Sequence, residues 1–145
     1  MDQPATPFFL FDPKKHFIDL CEVMEIGGSV SRLTLVNGWD SRCIVYDSAG
    51  VAWGFRFTHS KKQYSWLDKL LAQFYNPVRP TTATWHSKQG YSLSEVQNAY
   101  LDALAHDDDI LTQFVEEKDL RRRIQHSSTF SDLVETWHWM KTDSD

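Results

Sequence analysis

A chain of 145 residues with 41% apolar and 14% aromatic side chains can bury one sizeable core, which argues against wholesale disorder and against several domains. Its formal charge of -5 is unevenly spread. Residues 1–91 hold ten Lys/Arg against eight Asp/Glu, a balance of +2, and residues 92–145 hold five against twelve, a balance of -7. That asymmetry disfavours a nucleic-acid ligand, which needs clustered positive charge, and suits a basic partner.

Met1 to Asp12 is acidic and broken by Pro4 and Pro7, so it lacks the basic head and apolar run of a secretory signal and is expected to be flexible. No apolar run approaches the roughly 20 residues that cross a bilayer. The expectation is a cytoplasmic protein, residues 1–145 forming a single domain, with no membrane partner. Cys21 and Cys43 are too few for a disulfide framework and lie in apolar stretches, so both are expected to be reduced and buried.

His16 to Ile26 is read as a short helix followed by a strand. Ser31 to Leu35 alternates like a strand, and Asn37-Gly38 offers a turn that tolerates positive φ. Arg42 to Tyr46 reads as the next strand, and Asp47 to Gly50 as another turn. In Val51 to Thr58 the residues Val51, Trp53, Phe55 and Phe57 share one face, the period of two that a half-buried strand requires. From Ser60 the period lengthens. Tyr64, Leu67, Leu70, Leu71 and Phe74 fall at helical spacing, and Asn76-Pro77 stops that helix. It is expected to pack on the Trp53/Phe55/Phe57 face. Thr81 to Trp85 reads as a short edge strand.

The remainder reads as helical. Ser92 and Glu95 fit a capping box, followed by the stripe Leu93, Val96, Tyr100, Ala103 and Leu104. Asp107-Asp108-Asp109 stands where the positive end of a helix beginning near Asp108 would favour carboxylates. Thr129 and Asp132 open a last helix carrying Phe130, Leu133, Val134, Trp137 and Met140. Strands first and helices afterwards predict an α+β fold: an antiparallel β-meander in the N-terminal half packed against helices from the C-terminal half.

The sequence shows no catalytic motif: no Gly-x-Ser-x-Gly elbow, no phosphate loop after Gly27-Gly28, and no signature around either cysteine. None of the six histidines forms a close metal-binding pair, so neither a metal nor a cofactor is expected. Asp107, Asp108 and Asp109, reinforced by Glu116 and Glu117, form an acidic patch that suits a cationic partner, although a solvated helix cap is the commoner role for such aspartates. Arg121-Arg122-Arg123 could hold a phosphate, but pairing with Glu116, Glu117 and Asp119 is the commoner arrangement on helix surfaces. In Trp137-His138-Trp139 the first tryptophan faces inward and Trp139 does not, leaving Trp139 as a candidate interface anchor. Trp85 is a further candidate.

The segment DDDILTQFVEEKDLRRRIQHSSTFSDLV, Asp107 to Val134, together with the acidity and the aromatic-rich sheet, resembles the immunity proteins of bacterial contact-dependent inhibition and related toxin systems. The resemblance implies a non-catalytic protein that neutralises a basic toxin domain by stoichiometric binding. An adaptor that binds a host protein, or a small enzyme whose site converges only in three dimensions, are the other readings.

Overall fold

Phe8-Phe9-Leu10-Phe11 is a continuous apolar run, the pattern of a strand covered on both faces rather than one. In the computed structural model, which describes residues 3–24, 27–31, 34–35, 37–58 and 64–142, this run is strand β1 (Phe8–Asp12), and all of its residues are buried. The segment expected to be flexible, residues 1–12, therefore ends in a central strand. It forms a hairpin with β2 (Phe17–Cys21), where a helix followed by a strand was expected, and pairs on its other side with β4 (Ile44–Asp47). Strands β5 (Val51–Phe57) and β6 (Val78–Gly90) continue the sheet, and β3 (Gly27–Ser31) closes it. The order is β2-β1-β4-β5-β6-β3, and every pairing is antiparallel.

In this part of the chain several boundaries differ from the sequence reading. Thr34 and Leu35 have helical backbone rather than extending a strand, and Arg32 and Leu33 lie outside the described residues. Gly38, at φ 71°, does not turn a hairpin but starts the single helical turn α1 (Trp39–Arg42). Strand β6 runs thirteen residues and lies inside the sheet, because its first part pairs with β3 and its second with β5.

Alternation splits the core between the two faces of the sheet. Phe9, Phe11, Ile18, Leu20, Tyr46 and Ala52 face helices α3 (Leu93–Ala105), α4 (Glu117–His126) and α5 (Phe130–Lys141). Each long helix brings a stripe at helical spacing: Val96, Ala99, Tyr100, Ala103 and Leu104 from α3, and Leu133, Thr136, Trp137 and Met140 from α5. Thr129 and Asp132 form the expected capping box. Ser92 caps α3 without a side-chain bond to a helix amide, its hydroxyl lying 2.9 Å from that of Ser94 instead. The protein is thus α+β, its sheet covered by the C-terminal helices.

Phe8, Leu10, Val45, Trp53, Phe55 and Phe57 form the opposite face. The cover there is not the helix after Ser60 but α1 and its approach: Trp39 stacks on Phe57 at 5.9 Å and meets Phe55 edge-on at 5.6 Å, with Leu35 and Tyr64 beside them. Buried carboxylates tie these loops down. Asp47 accepts bonds from the amides of Ala5, Ala49 and Val51 and from the Trp53 indole at 2.8 Å. Asp40 accepts from the Phe57 amide, and Asp12 receives Arg42 through Nε and a terminal nitrogen.

Candidate functional site

Helix α2 (Trp66–Phe74) begins later than the periodicity suggests, at a full capping box. Ser65 accepts from the Asp68 amide, and the Asp68 carboxylate accepts from the Ser65 amide. Residues 59–63, where the earlier start was expected, lie outside the described residues. The helix stops at Tyr75, ahead of Asn76-Pro77.

Its orientation is the reverse of what an amphipathic helix normally adopts. At 100° per residue, Trp66, Leu67, Leu70, Leu71 and Phe74 share one side, while Asp68 and Ala72 share the other. The side turned inward is the second: Ala72 is fully buried and Asp68 half-buried. The apolar side faces solvent, with Trp66 75% and Phe74 82% exposed and Leu67, Leu70 and Leu71 exposed between them. Tyr75 and Val78 extend the patch towards β6. These side chains present on the order of 700 Å² of apolar surface, above the few hundred Å² at which an exposed patch on a monomer is commonly functional. Covering each large side chain would be worth about 1.5–3 kcal/mol.

The acidic positions separate into different roles. Asp107 is turned onto its own loop: its carboxylate accepts from the amides of Ile110, Leu111 and Thr112, and from the Thr112 hydroxyl. The expected helix from Asp108 does not form there. Residues 107–116 form no helix or strand, Asp109 has a positive φ of 62°, and α4 starts only at Glu117. Asp108, Asp109, Glu116 and Glu117 are exposed. Glu117 holds Arg121 at 2.6 Å, Glu116 lies 3.5 Å from Lys118, and Asp119 lies 3.8 Å from Arg122. Two arginines of the run therefore pair with neighbouring carboxylates. A shallow hollow of about 520 Å³ lies over them, lined also by Gln125 and His126.

The third arginine accounts for Trp139. Arg123 lies 4.1 Å above the Trp139 ring, which also packs against the helical core and is only half-exposed. A guanidinium over an indole face is a favourable pairing in its own right, so Arg123 covers part of Trp139. Trp85 is likewise engaged, at 5.2 Å from Phe55 and 6.1 Å from Phe8.

The thiols are free: Cys43 is buried, while Cys21, at the end of the edge strand β2, is only half-buried. Burial, with a further push from the Asp19 charge, raises the Cys21 thiol to about 12, and burial raises Cys43 as well, which leaves both poor nucleophiles at neutral pH. Among the described residues, metal-ligating side chains do converge at one place, His16, Asp102 and His106.

Sequence reasoning missed the exposed α2 face because it assumed that an apolar stripe turns inward. Comparison with known proteins yields no matching family model, no matching curated protein and no matching solved structure.

Proposed function

We propose that this is a non-catalytic binding protein that acts by stoichiometric contact with a protein partner, and that the outward apolar face of α2 is the anchor of that contact. The inverted placement of α2 carries the reading. A helix that buries Ala72 and half-buries Asp68 while presenting Trp66, Leu70 and Phe74 to solvent leaves most of its apolar side uncovered until another surface meets it. Tryptophan and tyrosine, here Trp66 and Tyr75, are also among the side chains that most often dominate binding energy at interfaces.

The specific form of this proposal is the one that the resemblance to toxin-immunity proteins implies: a cytoplasmic protein that neutralises a basic toxin domain. The exposed carboxylates Asp108, Asp109, Glu116 and Glu117 supply a negative field that speeds encounter with such a partner. Asp107 and Trp139 have intramolecular roles and are left out of the contact.

The test is capture of a partner from native cells, its purification, and titration of the two pure proteins. The reading expects saturable one-to-one binding, loss of the partner's activity at one equivalent, and affinity weakened about tenfold or more by Trp66→Ser with Phe74→Ser. A purified complex indifferent to those substitutions would remove α2 from the contact. A dimer of the pure protein that dissociates in Phe74→Ser would reassign the face to self-association.

A further inference from the structure

The turn between β1 and β2 is built to a stringent specification. Asp12 accepts the amides of Lys14 and Lys15, so the chain reverses tightly, and His16 completes the reversal at a positive φ of 52°, a backbone region that L residues enter rarely. The turn reaches the last turn of α3. There Asp102 and His106 stand four residues apart and so share one helix face. The Asp102 carboxylate reaches both imidazoles, with one oxygen 2.7 Å from His16 Nδ1 and the other 3.8 Å from His106 Nδ1. The ligating atoms of the three side chains all lie within 4.8 Å of one another.

We propose that His16, Asp102 and His106 form a binding site for a divalent transition-metal ion of the zinc class. Two imidazole nitrogens and one carboxylate oxygen are a donor set that such ions accept, and softer or harder ions prefer other sets. The location adds to the attraction. His106 is the C-cap residue of α3, where the helix dipole presents its negative end, and Asp107-Asp108-Asp109 follow directly.

The two imidazoles are stacked, 3.6 Å apart and within 8° of parallel. Lone pairs lie in the ring planes, so parallel stacked rings cannot both point at one ion. Binding therefore requires a ring to tilt about its terminal torsion, a soft motion for a side chain as exposed as His106. With all three side chains a third to a half exposed, the ion reaches the site from solvent, and its fourth position is left to water. The bound ion would clamp the β1–β2 turn to the end of α3, joining sheet to helix.

The probe is Zn²⁺ alone, titrated calorimetrically into tag-free protein, with Co²⁺ absorption as a report of coordination. One equivalent is expected to bind with a dissociation constant of about 10 µM or lower and to raise Tm. His16→Asn, Asp102→Asn and His106→Gln should each weaken binding about tenfold or more, whereas His126→Gln should not. Asparagine is chosen at His16 because it tolerates positive φ, so that variant keeps the turn. Ring-nitrogen NMR of the unaltered protein gives a readout independent of variant folding. Both His16 and His106 should shift on Zn²⁺ addition. Absence of stoichiometric uptake at about 100 µM Zn²⁺, shifts confined to other histidines, or variants that bind like the parent would each overturn the site.

Discussion

Asp12 sits at the junction of the sheet, the β1–β2 turn and α1, and its ionisation is tied to folding. Burial pushes its carboxyl up, but the hydrogen bonds and charge of Arg42, with the Lys15 and Lys14 amides, outweigh burial and hold it below its ordinary value of 3.8. A carboxyl lowered in the folded state contributes stability above its unfolded value and loses it as pH falls through the folded one. Asp12→Asn should therefore cost about 3 kcal/mol at pH 7, since Arg42 loses its charged partner. The gap between the two proteins should narrow as pH falls below about 3.8, which denaturant titrations across pH would read. A gap unchanged down to pH 2 would mean that Asp12 is not the titrating group. The thiols give a second check at this scale. Because burial raises both, native labelling at pH 7.5 should be slow, and half-buried Cys21 should react before Cys43. Rapid labelling of Cys43 without denaturant would contradict its position under the Trp39 side of the sheet.

The elements divide by how far local pattern determines their placement. The stripes of α3 and α5 lie inward as their spacing demands, and the capping box at Thr129 forms. Trp53 is also where the period of two places it, buried with Phe55 and Phe57, and Trp53→Ala should cost about 3–5 kcal/mol while leaving Asp47 without its indole donor. Helix α2 breaks the pattern. Because its apolar face is solvent-exposed, Leu70→Gln and Phe74→Ser should change stability by no more than about 0.5 kcal/mol, as surface substitutions do. Both should also reduce self-association and dye binding to exposed apolar surface. A loss of about 2 kcal/mol or more in chemical denaturation would show that the helix packs inward in solution.

At the scale of the whole molecule, charge and shape are separate properties with separate tests. The negative balance of residues 92–145 acts at long range, so association with a basic partner should slow as the Debye length shrinks from about 10 Å at 0.1 M salt to about 3 Å at 1 M. Neutralising Asp108, Asp109, Glu116 and Glu117 together should lower the association rate while leaving dissociation nearly unchanged. Asp107 is excluded from that set because its carboxylate holds the loop. A partner whose association rate at low salt ignores the quadruple substitution would rule out electrostatic steering by these positions. The sequence by itself determined the α+β class, the helical stripes of α3 and α5 and the acidic end, because periodicities of 2 and 3.6 and local charge are properties of neighbouring residues. It did not disclose β1, because the run Phe8 to Phe11 is covered on both faces and so lacks the alternation that marks a strand. Only the tertiary structure decided that α2 turns its apolar side out, that Arg123 covers Trp139, that Asp107 caps its own loop, and that His16 meets Asp102 across 86 residues of chain. Each of these depends on which surface arrives opposite a side chain, and spacing along the chain does not encode that.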